Sequence, residues 1–536
     1  MTSLRVLVAA ALVLLTVLTT QARVPQGAAP PSQPPPAPGE RGQPPPAGRG
    51  PGTGGGRGNP VATLYTERCA GCHGVDLNGG RAPSLFDEVW ARGADDESVV
   101  RNIMHGIPNT EMVPFKDQLT EPQIWQLVAY LRTHAATLKE KPAYVPDPDG
   151  QVVKSEKQTF RMEVVARGLE TPWGLAFLPD GRLLITERPG RLRIVQKGQL
   201  LAEPVSGTPT VWERQDAGLL DVEVHPAYAR TGWIYLAYVE PGANNTAPPS
   251  AAAAAAAGLL PGRGGTGAPA TVNTSNTVII RGKINAKNQW VDQQVILRTR
   301  PELYVADNSH FGSRFIFDQQ SHLFYTIGDR GEMMSAQDLA NPHGKIHRVN
   351  DDGSVPKDNP FANKPDALPT IWSYGHRNPQ GLAWDPATGK LWESEHGPQG
   401  GDEINIVEPG RNYGWGVITM GVQAGITSRA QEGMEQPVAY YTPSIAPSGI
   451  TFYTGARYPG WKNSLFVSAL AGQQLRRLET AGDKVTHQEV VFNQFGRVHD
   501  VVVGPEGYLY VTLQLPGRGV SDSTPGMVAR LVPVQQ

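Results

Sequence analysis

Cysteine is almost absent from this chain, which contains two cysteines among 536 residues. Both lie in the stretch "TERCAGCHGVDLNGG", as Cys69 and Cys72, and His73 follows the second one directly. A structural zinc site would need further cysteines or a second closely spaced pair of ligands, which the sequence does not supply. A redox C-x-x-C pair would not need the histidine. The scarcity of cysteine therefore disfavours a zinc site, and the adjacent histidine disfavours a simple redox pair.

An excess of charge of one sign is also lacking. The 48 Lys and Arg residues nearly balance the 50 Asp and Glu residues, which leaves a formal net charge of −2. No run of basic residues alternates with aromatic residues. Because nucleic-acid binding usually leaves such a basic footprint, nucleic acid is not expected as a partner.

The N-terminal apolar run is short. It extends from Val6 to Leu18, whereas a membrane-spanning helix needs about 20 apolar residues. Arg5 precedes the run and the small-residue segment Thr20-Gln21-Ala22 follows it, as in secretory signal peptides. We predict a signal peptide over residues 1–22, with an uncleaved anchor as the alternative. The protein is then expected in the periplasm or outside the cell, without a stable membrane span.

Cys69, Cys72 and His73 together form the C-x-x-C-H pattern of heme c attachment. In such sites two thiols bond covalently to the porphyrin and the histidine binds the iron. An accidental pair of neighbouring thiols is the remaining alternative. Heme c also agrees with export, because c-type attachment takes place outside the bacterial cytoplasm.

Composition divides the chain into two folded domains and two connecting segments. Residues 23–60 are rich in Pro and Gly and contain almost nothing apolar to bury, which predicts a disordered linker. A small domain is predicted over residues 61–137 and a second linker over residues 138–157. The large domain is expected over residues 158–536.

The small domain is predicted to be helical. In "TEPQIWQLVAYLRTH", Thr120 and Gln123 resemble a capping box, and the apolar residues that follow lie three and four apart. Residues 61–137 resemble a class I cytochrome c, in which this last helix packs on the first one, here around Leu64 and Tyr65.

A six-coordinate heme iron needs a second axial ligand besides His73. The resemblance implies Met112, in "GIPNTEMVPF", because such cytochromes carry their methionine in the loop ahead of the last helix. A thioether ligand raises the reduction potential relative to a second imidazole. Met104 lies within a helical pattern and is expected in the core, while His105 is the next candidate ligand.

The large domain repeats one pattern, an apolar strand, a turn of Pro, Asp or Gly, and an alternating strand rich in aromatic residues. The six copies begin at Trp173, Leu220, Phe315, Gly381, Gly449 and Val501. Hairpins that recur in this way are typical of propeller blades, so an all-β six-bladed propeller is predicted. The strands "TFRMEVVARGL" and "MVARLVPV" are expected to pair and close the ring. A low-complexity stretch over about residues 241–271 is expected to be a disordered insert.

Loops between these strands carry unusual sequences, among them "NSHFGSR", "GDRG", "GHRNPQG" and "EHGPQGGDE". Taken together they resemble the soluble pyrroloquinoline quinone (PQQ) dependent aldose sugar, glucose and sorbosone dehydrogenases. These are six-bladed propellers with quinone and calcium on the central axis. The resemblance extends over about residues 155–532, and the joint occurrence of the last two motifs is what makes it specific.

The resemblance implies a role for several residues. His310 matches the base that takes the sugar hydroxyl proton, for which a histidine that is neutral near pH 7 is suitable. Arg377 matches the cation that stabilises negative charge developing on the quinone, because a guanidinium stays charged throughout. Asn378 and Arg497 match cofactor-binding residues. Gln215 matches a residue that meets both cofactor and sugar, and Gln337 is a further candidate for contact with substrate.

Calcium is also implied by the resemblance. The quinone-bound ion would take the backbone carbonyls of Gly397 and Pro398 and act as a Lewis acid. A separate structural ion would take Glu403 and the carbonyl of Tyr413. A solvated turn is the alternative interpretation of the "GGDE" segment.

Three positions depart from the family pattern. Ser309 stands where the glucose enzymes have an aspartate before the base, which bears on sugar binding. Ala471 replaces a lysine and His499 replaces a second arginine, both of which would meet carboxylates of PQQ. Each unmade charged hydrogen bond should weaken binding by roughly 1–3 kcal/mol, so Arg476, Arg477 or His499 are candidates to compensate.

These observations predict a periplasmic quinohemoprotein that oxidises an aldose at C1 to its lactone. Electrons would pass from PQQ to heme c and then to an external acceptor such as another cytochrome or an oxidase. One alternative is a calcium-dependent lactonase on a similar propeller, with a separate cytochrome. Another is a sugar-binding propeller without catalysis.

Overall fold

Four helices form the N-terminal part of the described chain. They are α1 (Pro60–Arg68), α2 (Ala70–His73), α3 (Asp96–His105) and α4 (Glu121–Glu140). The computed structural model of the chain describes residues 60–74, 77, 82, 85, 92–107, 112–140, 147–246, 273–515 and 525–534. The predicted signal peptide, almost all of the first linker and most of the predicted insert lie outside these ranges. Within them, no helix has both the length and the apolar character that crossing a membrane requires.

Helix α4 packs on α1 as predicted. The backbone N–H of Thr120 donates to Gln123 Oε1 at 2.8 Å, which caps the first turn of α4. The face predicted from spacing is buried, and its members are Ile124, Leu127, Val128 and Leu131. Tyr65 of α1 is buried against this face, with its ring centroid 5.6 Å from that of Tyr130. The helical prediction for this domain is confirmed.

Six antiparallel sheets form the large domain, and each contains one of the six predicted hairpins. The first sheet has strands β3 (Pro172–Phe177), β4 (Leu183–Glu187), β5 (Arg191–Gln196) and β6 (Gln199–Leu200). The second has β7 (Leu219–Val224), β8 (Ile234–Pro241), β9 (Ser275–Ile284) and β10 (Trp290–Arg298). The third has β11 (Phe315–Phe317), β12 (Leu323–Ile327), β13 (Lys345–Val349) and β14 (Ile371–Tyr374).

The remaining sheets complete the propeller. The fourth has β15 (Pro379–Trp384), β16 (Leu391–Glu395), β17 (Asp402–Val407) and β18 (Ala439–Tyr441). The fifth has β19 (Pro447–Phe452), β20 (Leu465–Ala469), β21 (Gln474–Ala481) and β22 (Lys484–Phe492). The sixth has β1 (Val152–Lys154), β2 (Thr159–Glu170), β25 (Pro525–Pro533), β24 (Leu509–Gln514) and β23 (Val501–Val503).

The ring closes between the two ends of the chain, because β2 pairs with β25 in the sixth sheet. This is the pairing predicted from the two terminal strands. Strand β1 lies within the segment predicted as the second linker and pairs with β2. The propeller therefore begins before residue 158, and the connector from α4 is shorter than predicted.

Packing between neighbouring sheets stabilises the ring. Every residue of β4, β12, β16 and β20 is buried, because another sheet covers each face of these strands. The first strand of each hairpin is innermost, and neighbouring innermost strands contact one another around the ring. Loops at the ends of these innermost strands therefore converge on one axis.

Candidate functional site

An open cavity of about 1370 Å³ lies where these loops converge, part of it open to solvent. Each of the six sheets, or the loop that leads into it, contributes to its wall. The lining residues from the propeller include Trp173, Arg188, Gln215, Leu220, Phe311, Gly312, Asn378, Gln380, His396, Gly397, Pro398, Ala446, Leu470, Arg497, His499 and Gln514. The cavity is therefore at the mouth of the propeller, on its axis.

The heme attachment segment lines the same cavity. Thr66, Glu67, Arg68, Gly71 and Cys72 contribute to its wall from the small domain. Residues 58–536 form one compact unit. Gly71 packs so closely against the propeller that a Cβ on it would lie 3.7 Å from the Cβ of Ser444. The attachment helix thus covers part of the mouth.

Several residues predicted from the sequence meet in this cavity. Gln215, Asn378 and Arg497 line it, as do Gly397 and Pro398. Gln215 has a backbone φ of 46°, in the left-handed region that a residue with a side chain rarely adopts. Strained backbone of this kind concentrates at functional sites.

His310 is held by a buried carboxylate. Its Nδ1 lies 2.6 Å from Asp329 Oδ1, and Asp329 Oδ2 accepts a hydrogen bond of 2.6 Å from Trp415 Nε1. Burial raises the pKa of Asp329, but its interactions with His310 and the positive charge of Arg377 outweigh burial and lower that pKa. An ionised Asp329 fixes the His310 ring with Nδ1 as the donor, which leaves Nε2 as the basic nitrogen.

His310 is not itself among the residues that line the cavity, but it is buried directly beside the wall, which the next two residues, Phe311 and Gly312, form. The backbone φ of His310 is 54°, again in the left-handed region. Ser309, the residue in place of the family's aspartate, is buried and donates from its hydroxyl to Asp307 Oδ1. A carboxylate is therefore present two residues ahead of Ser309.

Arg377 lies in a smaller cavity of about 240 Å³ next to the first one, together with Glu403 and Tyr413. Its NH1 donates to the carbonyl oxygens of His396 at 3.1 Å and Gly397 at 2.8 Å. Gly397 and Pro398 line both cavities. The predicted guanidinium and the predicted calcium-binding carbonyls are thus immediate neighbours. Because the Gly397 carbonyl already accepts a hydrogen bond from Arg377, calcium there would share that carbonyl or displace the guanidinium.

A group of buried carboxylates adjoins the smaller cavity. Ligand atoms of His376, Glu393 and Glu395 all lie within 4.8 Å of one another. Asn405 Nδ2 donates to Glu393, Glu395 and Glu403 at 3.1, 3.3 and 3.2 Å. Removal from water, followed by repulsion from Glu395, raises the pKa of both Glu393 and Glu403 well above the usual range. A set of carboxylate oxygens with no cation among these five side chains fits a hard divalent ion such as calcium.

Gln337 lies elsewhere. Its Nε2 donates to the Trp415 carbonyl at 2.7 Å and to Asn412 Oδ1 at 3.1 Å. It is absent from the residues that line either cavity. The structure therefore gives Gln337 a role in holding the loop of Trp415, and it does not bring Gln337 to the cavity wall.

Sequence reasoning did not name several residues of this site. Asp329 and Trp415 orient His310, and Glu393, Glu395 and His376 extend the acidic group around Glu403. The two glutamates could have been predicted to lie together, because side chains alternate along a strand and "LWESE" therefore places both on one face of β16. Asp329 lies in the quoted "GDRG" loop, but its partner is 19 residues away.

The heme ligands predicted from sequence lie on the small domain as expected. Cys69 directly precedes helix α2, which carries Cys72 and His73, and both cysteines are half-buried and form no disulfide. Met112 is half-buried against the core of this domain, whereas His105 is exposed at the end of α3. Two cysteines outside any disulfide, one helical turn apart and with an adjacent imidazole, fit covalent attachment of heme.

Comparisons with known proteins agree with this architecture. Residues 169–518 match the model of the Glucose / Sorbosone dehydrogenase family. Residues 57–131 match the model described as Cytochrome C oxidase, cbb3-type, subunit III. Aldose sugar dehydrogenase YliI of Escherichia coli (strain K12) is 38% identical over 362 residues, which cover 66% of this chain and 90% of that protein.

Two solved structures are similar to the propeller. The apo form of the soluble aldose sugar dehydrogenase of Escherichia coli has a TM-score of 0.60 and 35% identity, covering 70% of this chain and all of that one (100%). The PQQ-bound aldose sugar dehydrogenase of Streptomyces coelicolor has a TM-score of 0.53 and 26% identity, covering 72% and 100%. This chain therefore belongs to the glucose/sorbosone dehydrogenase family and joins its six-bladed propeller to an N-terminal cytochrome c domain.

Proposed function

We propose that this protein is a quinohemoprotein dehydrogenase that oxidises an aldose at C1 to its lactone. PQQ at the mouth of the propeller would take the electrons from the sugar, and heme c on the same chain would take them from PQQ. The substrate class follows from the family and from the aldose sugar dehydrogenases to which the chain is similar.

One observation carries this proposal. Cys72, a residue of the heme attachment motif, lines the same cavity as Gln215, Asn378 and Arg497. A heme bonded to Cys72 would start from the wall of the cavity that is proposed to hold the quinone. Joining donor and acceptor in one chain raises their effective concentration, so no encounter with a separate protein is needed for the first electron.

The side chains beside the cavity have separate roles in this proposal. Nε2 of His310 takes the proton of the sugar hydroxyl, while Asp329 keeps the ring oriented and stabilises the imidazolium that forms. Trp415 holds the second oxygen of Asp329 and so restricts rotation of the carboxylate. The buried position of this pair limits access of water to the base.

Residues that line the cavity would hold the cofactor. Arg497 would meet its carboxylates, Asn378 and Gln215 would donate hydrogen bonds, and Arg377 would lie near the developing negative charge. When bound, PQQ supplies a two-electron acceptor for the hydride of the anomeric carbon. Calcium is proposed at the Gly397–Pro398 carbonyls and, separately, beside Glu403.

Location and final acceptor are also proposals. The predicted signal peptide and the heme c motif favour the periplasm or the exterior of the cell. From there, the reduced heme would pass electrons one at a time to an external carrier such as another cytochrome or an oxidase. Reconstitution tests the function independently of the location and the external carrier, because the heme on the same chain is the readout.

Reconstitution tests the proposed function directly. Purified protein with covalent heme is loaded with PQQ and calcium, aldoses are added one at a time, and the heme absorbance is followed. We expect at least one aldose to reduce the heme, and only when PQQ is present. Hydrolysis of a lactone without any absorbance change would instead support a lactonase. Sugar binding without either reaction would indicate a binding propeller.

The Met112→Ala variant tests the second axial ligand. Loss of a thioether ligand should lower the heme potential by tens to hundreds of millivolts, within the roughly 0.8 V over which axial ligands act. Redox titration of the heme band measures it. Met104→Ala is the matched control, because Met104 packs in the same core from helix α3. Equal potentials in both variants and the parent would exclude Met112 as ligand.

Calcium is expected to stabilise the protein through Glu403. At 100 times its dissociation constant, the ion should raise the free energy of unfolding by about 2.7 kcal/mol. Glu403→Gln should abolish this response. Without metal, the variant should be at least as stable as the parent, because it replaces a carboxyl group whose ionisation is disfavoured by burial and by Glu395. Thermal unfolding with calcium and with chelator measures both effects.

The control for this experiment is Glu408→Gln. Glu408 directly follows strand β17, and its side chain is 47% exposed. This variant should keep the full calcium response. A Glu403→Gln protein that still gains stability from calcium would place the ion elsewhere.

A further inference from the structure

The resemblance implies cations for the quinone at the positions of Ala471 and His499, and the two arginines that follow Ala471 closely in sequence do not replace them. Arg477 is fully buried and bound to Glu489 at 2.6 Å and Glu479 at 2.7 Å. Arg476 stacks over the ring of Tyr441, 5.1 Å from its centroid. Neither is among the residues that line the cavity.

His499 lines the cavity but is not a cation. Burial, followed by the positive charge of Arg497, lowers the pKa of His499 to about 3. Its Nε2 lies 2.5 Å from Gln514 Oε1, so the ring is held by an amide oxygen. The position that carries the family's second arginine is therefore neutral at physiological pH.

Arg188 brings a guanidinium to the same place from another sheet. It follows strand β4, lines the cavity together with Arg497, and lies near enough to His499 to contribute to its lowered pKa. Its Nε is buried and has no hydrogen-bond partner among the described residues. Burial lowers the pKa of Arg188, but a guanidinium remains charged near neutral pH.

The backbone fixes Arg188 in this position. Its N–H donates to the Thr171 carbonyl at 3.1 Å, and its carbonyl accepts from Leu219 N–H at 2.8 Å. Gly218 has a φ of 155°, and a Cβ there would overlap both the carbonyl oxygen and the side chain of Arg188. The absence of a side chain at Gly218 is what lets the Arg188 residue lie against it.

We propose that Arg188 binds a carboxylate of the quinone and supplies the positive charge that His499 lacks. This inference rests on the proposed function and deepens it, because it assigns a cofactor-binding residue outside the loop motifs that carry the resemblance. A guanidinium whose buried Nε has no partner among the described residues gains a charge-assisted hydrogen bond when a carboxylate enters the cavity. The anionic cofactor therefore offsets the desolvation of Arg188.

Binding of PQQ to the full heme-containing chain tests the inference. Equilibrium dialysis with calcium gives the dissociation constant for the parent and for Arg188→Gln. We expect the variant to bind about 10- to 100-fold more weakly, the range for one lost charge-assisted hydrogen bond. Its thermal stability without PQQ is measured as well, because the variant loses the attraction between Arg188 and the carboxylates of Glu213, Asp216 and Glu170. A merely structural role would lower stability and leave the affinity of the folded variant for PQQ unchanged.

A second ligand shows whether the carboxylate is the group recognised. The parent should prefer PQQ over its trimethyl ester, and Arg188→Gln should show a smaller preference. Arg230→Gln is the control, because Arg230 is exposed on the short helix Tyr228–Thr231 of the same propeller. If the parent binds PQQ and Arg188→Gln binds it equally tightly, the inference is wrong while the proposed function stands. If the parent binds no PQQ, both are wrong.

Discussion

Replacing His310 by Gln is expected to slow the reduction of heme by an aldose by about 10²- to 10⁴-fold, the usual contribution of a general base. The variant removes the basic Nε2 but retains an amide that can reach Asp329. Stopped-flow absorbance of the heme after mixing PQQ-loaded protein with sugar measures the rate. A loss in this range requires that His310 acts on the reacting hydroxyl.

Two further measurements isolate this effect. The heme spectrum and the affinity for PQQ should not change, because His310 contacts Asp329 and is not a residue predicted to hold either cofactor. His487→Gln serves as the control, since His487 lies on the outer strand β22 and its side chain is 44% exposed. An unchanged rate in the His310 variant would remove this residue from the reaction.

The propeller could be predicted because its pattern is local. Each hairpin is a contiguous stretch whose apolar residues and turn are visible in the sequence, and all six are present in the sheets. The closing pair of strands followed from the same rule, because an unpaired terminal strand would leave an exposed edge. The start of the propeller was predicted too late in the chain, because β1 has only three residues and lies in a segment without a strong apolar pattern.

Only the part of the site that lies in recognisable sequence motifs was predicted. Gln215, Asn378 and Arg497 were found because they lie in recognisable loops, and they do line one cavity. Residues that matter through distant contacts were missed, such as Trp415, which meets Asp329 across 86 residues. Spacing along the sequence does not show that two residues so far apart are in contact.

Closeness in sequence was also a poor guide to the arginine that could replace the missing cations. Arg476 and Arg477 were natural candidates because they follow Ala471 closely in sequence. Both lie on β21, where successive residues point to opposite faces of the sheet and away from its end. Arg188 is 311 positions from His499 in the numbering but lies beside it, because the first and sixth sheets are neighbours in the closed ring.

Removing the heme should separate the two halves of the proposed reaction. In the Cys69→Ala/Cys72→Ala variant, sugar-dependent reduction of an added cytochrome should fall at least about 100-fold, the lower end of what linkage contributes. Oxidation of the same sugar with a small diffusible dye should persist, because His310, Asp329 and Arg377 all belong to the propeller. Both rates are measured on PQQ-loaded protein.

The dye-linked rate also tests what the attachment helix does at the mouth. This helix covers part of the cavity and packs Gly71 against Ser444. If its only role is to position the heme, the dye-linked rate should stay the same or rise, since a small dye then meets a more open cavity. A dye-linked rate that disappears with the heme would mean that the cytochrome domain completes the sugar site. An undiminished rate with the added cytochrome would mean that electrons leave the quinone directly, and the proposed route through the heme would be wrong.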